Sequence, residues 1–242
     1  MKMRSFIIVC FLIFSFGGWS QTNKQKYAKA LANNNISLQL NLAKSSVSLY
    51  SDFTYAYYQL MITSLPKNSV VITNSIDDTF PIQILQSNSN IRPDIQVITL
   101  SLLSDSLYLR HVNSKYKIQL YSTDNLNSLR VLQSKIKRVY ISTTVKSKLW
   151  FKPTNFITGL TVQKGNQSQA KSLLNFYLKY QKLKIKSYSY TKTDLLIIRN
   201  VLPPLITLYN IDSSIPNLKS HILELARLVK KVETVKKMIV IE

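Results

Sequence analysis

The chain is predicted to be an α/β protein: a small, mainly parallel sheet built on a β-α-β unit, with N-terminal helices before it and a C-terminal helical hairpin after it. Three observations lead there. Ser69 to Thr73 and Ile95 to Leu103 are runs rich in apolar and β-branched residues, the composition of strands. The connection between them is long enough for a helix, which parallel neighbours require. Beyond residue 166 the strand signals give way to helical periodicity in Gln167 to Gln181, Asp194 to Asn210 and Asn217 to Val232. The expected organisation is an export signal over 1–20, an N-terminal helical segment over 21–64, the α/β core over 65–166 and a helical region over 167–242.

Lys2 and Arg4 precede an almost unbroken apolar run, Phe6 to Phe16, which ends in Gly17-Gly18-Trp19-Ser20. This is the tripartite pattern of a secretory signal, with cleavage expected near Ser20-Gln21. The run is too short to cross a hydrocarbon core of roughly 30 Å as a helix. Cys10, the single cysteine, lies inside it, so the exported product is expected to have no thiol chemistry.

From Ile36 to Tyr50, Leu38, Leu42 and Leu49 fit a helical face, and Phe53, Tyr57, Leu60 and Met61 continue it at three- and four-residue steps. Tyr55, Tyr57 and Tyr58 are expected to pack in the core, with the helix ending at Leu65-Pro66. After the first central strand, Asn74-Ser75 and Asp77-Asp78-Thr79 precede Pro81, which marks a helix start with Pro in its first turn. Arg92-Pro93-Asp94 is a turn signal before the second strand. Lys115 to Tyr121 alternates polar and apolar residues, which predicts a half-exposed strand. Asp124 to Ser134 predicts a helix, and Val139 to Thr143 and Gly159 to Gln163 two further strands, separated by a loop with Trp150, Phe151 and Pro153. Pro203-Pro204 is expected to break or kink the middle C-terminal helix. Ser214 is expected to cap the last helix ahead of Pro216, and Met238 to Ile241 to dock as a strand or helix end.

With 45% hydrophobic and 18% charged residues the chain is expected to fold. Its 32 Lys and Arg against 11 Asp and Glu give +21 and favour anionic partners at long range. The lysines are spread along the chain, a distribution that base composition also produces. If the two central strands are parallel neighbours, their carboxyl ends gather Asn74, Ser75, Asp77, Asp78, Ser101, Ser104 and Asp105 at the edge where open α/β sheets bind ligands. Asp77 and Asp78 could hold a cation or a sugar hydroxyl there. The simpler reading is that they cap the following helix, whose partial positive end favours them. His111 and His221 lack the spacing of a zinc pair, and no nucleophile elbow, phosphate-binding glycine loop or dinucleotide fingerprint is present. No catalytic residue, metal or cofactor is therefore expected.

Several of these residues resemble the soluble C-terminal region of a bacterial family of polytopic membrane proteins that carries a domain of unknown function and is similar to protein O-mannosyltransferases. The resemblance rests on Leu65-Pro66 with Asn68, Thr73-Asn74, Asp78 to Pro81, Ile91 to Asp94, Val97 and Leu100 to Leu103. It continues through Arg138 to Ser142, Thr144-Val145, Gly159-Leu160, Pro204 to Ile206 and Tyr209, roughly residues 50–230. It implies an α/β fold and an envelope setting. Where the family carries its membrane domain this chain has the signal pattern, and Ser75 and Ile76 replace the family's usual Gly and Asp. The expected function is a secreted or periplasmic, non-enzymatic binding or accessory module of the cell envelope. Its expected partner is an envelope protein or an anionic envelope glycan or lipid; nucleic acid is not expected. The alternative is a glycan-directed envelope enzyme, or a subunit of a protein glycosyltransferase, using Asp77, Asp78 and Asp105.

Overall fold

The computed structural model describes residues 23–121, 124–146, 155–164, 169–182 and 190–239. The export-signal pattern and the Trp150, Phe151 and Pro153 loop lie outside the described residues. In chain order the elements are α1 (residues 23–32), α2 (Ile36–Ser45), α3 (Asp52–Thr63), β1 (Val70–Thr73), α4 (Ile76–Ser89), β2 (Gln96–Thr99), α5 (Ser106–Tyr116), α6 (Asn125–Lys135), β3 (Val139–Ser142), β4 (Asn155–Ile157), β5 (Thr161–Lys164), α7 (Gln169–Lys182), α8 (Lys192–Ile211), α9 (Leu218–Leu228) and α10 (Val232–Met238).

The five strands form one sheet in the order β2-β1-β3-β5-β4. β1 is the centre of a parallel trio, with Val70 to Thr73 in register with Gln96 to Thr99 on one side and Val70 to Ile72 with Val139 to Ile141 on the other. β5 then runs antiparallel to β3 and to β4. The β-α-β unit read from the sequence is thus the heart of the sheet, and α4 is its crossover. β4 was not foreseen.

The alternation of strand side chains divides the core. Val71 and Tyr140 belong to a cluster with α3, α7, α8 and α9, whereas Val70, Ile72, Ile98, Val139 and Ile141 face α5 and α6 across the sheet. Because both faces are covered, β1 and β3 are buried along their whole length. α4 serves two clusters: Ile82 and Leu85 point toward α3 and α8, and Phe80 and Ile84 pack on Tyr27 of α1 and Ala43 of α2. α8 packs against α3, α7 and α9, so it carries the C-terminal helices onto the sheet.

Several local expectations are corrected. Lys115 to Tyr121 is not a strand: α5 continues to Tyr116, Lys117 ends it in the left-handed region at φ 52°, and the extended residues after it are held by Asn113. The Asn113 side chain accepts from Leu120 N at 2.9 Å and donates to Leu120 O at 3.3 Å, taking the backbone bonds that a ladder would have used. Ile118 and Leu120 alternate because they pack on the α5–α6 side of the sheet. α8 is not broken by Pro203-Pro204. Each proline removes an intrahelical bond, but Val201, Leu202, Leu205 and Leu208 around them are buried, and that packing holds the helix. Ser214 does not cap α9; it donates to Asp212 at 2.6 Å, and Asn217, at φ 61°, occupies the cap position. The segment 217–232 is split at Lys230, φ 55°, into α9 and α10. Pro81 sits in the second turn of α4, not the first.

Candidate functional site

The register Thr73↔Thr99 brings the carboxyl ends of β1 and β2 side by side, and Ser101 N donates to Asn74 O at 3.1 Å just beyond them. Beneath that edge the hydroxyls of Thr73, Thr79 and Thr99 form a buried chain, 2.6 Å from Thr73 to Thr79 and 2.7 Å from Thr79 to Thr99. Thr79 also bonds to Ser75 O at 3.0 Å, which ties the first turn of α4 to the strand end. Tyr108 closes the same layer, its hydroxyl accepting from Thr99 N at 2.9 Å.

Each acid at this edge has a partner. Asp78 accepts from Ser75 N at 3.2 Å, the return half of a capping box, and from the Tyr58 hydroxyl at 2.8 Å. Burial pushes the Asp78 carboxyl up from its ordinary range, against the pull of Tyr58, Ser75 and Thr144. Asp77 is exposed and meets Lys24 of α1 at 2.6 Å. Asp105 caps α5, accepting from Leu107 N at 2.9 Å and Tyr108 N at 3.0 Å. Ser104 donates to Ser101 O at 3.0 Å. The edge therefore gathers Asn74 with Ser101, and Ser75 with Asp78. Asp105 sits at its own helix start, bonded to α5 amides. Among the described residues no group of three His, Cys, Asp or Glu side chains could hold a metal ion.

Two polar centres escaped the sequence reading. Asp194 is buried at the start of α8, 2% exposed, and accepts from Thr54 Oγ1 at 2.9 Å, Thr191 N at 2.9 Å, Thr191 Oγ1 at 2.7 Å and the Ser51 hydroxyl. Burial raises its pKa, but these bonds outweigh burial and the net direction is down. Thr191-Lys192-Thr193-Asp194 is a capping pattern that could have been read; its use of Ser51 and Thr54 on α3 could not. The second centre is Arg92, at φ 51°. Its guanidinium forks onto Asp94 at 2.8 and 2.9 Å and reaches the carbonyls of Ile62 at 2.9 Å, Leu65 at 2.7 Å and Pro66 at 2.9 Å. It thereby ties the last turn of α3, through Ile62, to the Leu65-Pro66 turn that follows it.

The histidines differ in setting. His111 lies half-buried on α5. His221 on α9 stacks on Tyr180 of α7, ring centroids 5.6 Å apart at 23°, and lies 5.9 Å from Tyr177. These rings line a cavity of about 400 Å³ between α7, the start of α8 and α9. Nothing in the sequence links Tyr180 with His221, since the contact is made only when α7 and α9 both dock near α8.

Compared with known protein families, residues 52–214 match the family described as TMEM260-associated domain 2. The matched span holds the whole sheet, the edge acids, Arg92 and Asp194, and stops before α9. No curated protein and no solved structure matches the chain.

Proposed function

The chain belongs to the family described as TMEM260-associated domain 2, and from that premise we propose that it is an exported, non-enzymatic accessory module of the cell envelope. The observation that carries this reading is the state of the sheet edge. Asp78 is bonded to Ser75 and Tyr58, Asp105 to the first amides of α5, and Asp77 to Lys24, so their geometry is that of capping and tethering. A general acid or base needs a free proton position facing a substrate. The residue pattern over 1–20 supports export, and no described helix is long and apolar enough to cross a membrane. A domain associated with a larger protein fits an accessory role, and the resemblance to polytopic membrane proteins similar to O-mannosyltransferases supports a setting beside glycan transfer. The partner is an envelope protein, with the net charge of +21 adding attraction to anionic envelope glycans or lipids.

Affinity capture of the exported protein from envelope extract, at low and at raised salt, tests the reading. A stoichiometric protein partner retained at high salt is expected. Recovery of salt-labile anionic material alone refutes the protein-partner reading. Asp78→Ala is expected to lower stability with partner capture intact; loss of a glycan-directed activity with the fold preserved overturns the non-enzymatic assignment.

A further inference from the structure

A second cavity lies between the C-terminal end of α3, the strands β3 and β5, and α7. Ser172, Asn175, Phe176 and Lys179 line it from α7, at the i, i+3, i+4, i+7 spacing that puts them on one helix face. Tyr140 of β3 belongs to the core cluster on the α7 side of the sheet. Val162 of β5 belongs to the opposite cluster, so its neighbours Thr161 and Gln163 turn to the side of Tyr140 and meet the same cavity. The volume of about 230 Å³ is below the roughly 300–1,000 Å³ of drug-sized sites, which limits an occupant to a small molecule. Tyr140 is only 6% exposed, and among the described residues its hydroxyl has no hydrogen-bond partner. The hydroxyls of Tyr27, Tyr50, Tyr177 and Tyr180 are also unpartnered but are sealed from water; that of Tyr140 is not sealed. The little of this side chain that stays open therefore includes the hydroxyl, and the cavity that Tyr140 lines is where it opens.

The charge around that opening is the second observation. Lys179 is the one charged side chain among the described residues that line the cavity. Arg138 stands two positions before Tyr140, hence on its side of β3, and donates to the carbonyl of Lys67 at 2.6 Å, just past the rim residue Pro66. Its charge reaches the Tyr140 hydroxyl, whose pKa burial raises and Arg138 pulls back. Among the described residues neither Lys179 nor Arg138 belongs to an ion pair. Asp94, which accepts from Asn68 N beyond Lys67, is held by Arg92. Residues 147–154, 165–168 and 183–189, which adjoin β4, β5 and α7 in sequence, include Lys148, Lys152, Lys184 and Lys186 and no Asp or Glu; the one acid outside the described residues is Glu242. Those segments can add only positive charge. A cationic ligand would find no carboxylate in this lining, whereas an anion would find Lys179 together with hydroxyl and amide donors from Tyr140, Ser172 and Asn175.

We propose that this cavity is a binding site for a small organic oxyanion, a carboxylate or a phosphate monoester, with its charged group held by Lys179 and the Tyr140 hydroxyl and its organic part against Phe176. The site does not depend on the accessory-module assignment, because none of the sheet-edge residues that carry that assignment lines the cavity.

Saturation-transfer NMR on the full-length protein tests it with four probes that share one ring: benzoate, phenyl phosphate, benzyl alcohol and benzylamine. At least one of the two anions is expected to bind, more tightly than the alcohol and with no binding of the amine; which anion binds better tells carboxylate from phosphate monoester. Tyr140→Phe keeps the buried ring and deletes the hydroxyl, and Lys179→Gln changes an exposed residue, so both variants keep the fold. Each is expected to weaken anion binding roughly two- to tenfold. Lys171→Gln removes the same charge from exposed α7 surface outside the cavity and is expected to leave binding unchanged. Absence of binding by both anions at tens of millimolar overturns the proposal, as does equal binding of the alcohol or the amine. So does an affinity unchanged in Tyr140→Phe and Lys179→Gln, or one that falls as far in Lys171→Gln.

Discussion

Replacing Arg92 with alanine removes five hydrogen bonds at once, two to Asp94 and three to the carbonyls of Ile62, Leu65 and Pro66. At roughly 0.5–1.5 kcal/mol net for each, the gross loss spans about 3–7 kcal/mol. The Arg92 and Asp94 side chains are 20% and 27% exposed, so water re-satisfies part of what is lost. A net loss of about 3 kcal/mol is expected, which for a chain of this size lowers the melting temperature by about 6–12 °C. Urea unfolding followed by circular dichroism at neutral pH measures it. Arg92→Lys separates geometry from charge: an ammonium cannot fork onto Asp94 and also bridge the end of α3, so more than about half of the loss should remain. The Arg92 guanidinium holds the Asp94 carboxyl well below the usual range. A depressed carboxylate pKa stabilises the fold above the unfolded-state value of about 3.9 and loses that contribution as pH falls below it. The gap between wild type and Arg92→Ala should therefore narrow in acid. A lysine variant as stable as wild type, or a gap that does not change with pH, would refute the reasoning.

Asp194→Ala leaves the hydroxyls of Ser51, Thr54 and Thr191 facing an apolar site and should cost about 2–4 kcal/mol; because the Asp194 pKa is lowered, the difference from wild type in a pH series of denaturation curves should shrink as pH falls below the carboxylate range. Gly159→Ala places a Cβ 3.0 Å from the Phe176 ring at φ +109°, a backbone region that alanine rarely adopts, and should destabilise by about 1–3 kcal/mol in the same assay. Asp105→Ala removes the α5 cap, and a loss of about 1 kcal/mol is expected, with faster amide exchange at Leu107 and Tyr108.

The β-α-β unit was legible because its signals are local. Val70 to Thr73 and Val97 to Thr99 are β-branched runs whose strand character follows from composition, and a parallel pair admits only a long connection. Asp78 could be read as a capping residue for the same reason, since a cap needs only the next three residues, whereas Asp105 was expected only at the sheet edge and the structure makes it the cap of α5. The Lys115 to Tyr121 alternation misled because period two says only that a segment is extended with one side buried. Whether it joins a ladder depends on which group takes its amides, and here Asn113 takes those of Leu120. The proline pair misled because helix propensity was weighed without the tertiary packing that buries Val201, Leu202 and Leu205.

Composition, periodicity and capping patterns were enough to set the fold class, the central crossover, most of the helices and the excess of positive charge. Each of these depends on residues within a few positions of one another, or on sums over the chain. Tertiary structure alone decided the antiparallel β4–β5 extension, the Arg92 clasp on α3, the burial of Asp194 between two helix starts and the Tyr180–His221 wall of the cavity. Apart from the local β4–β5 pairing, those features join residues 26 to 143 positions apart, from the Pro66–Arg92 pair to the Ser51–Asp194 pair. No local pattern encodes such pairs, because what selects them is the packing of complete helices against both faces of the sheet.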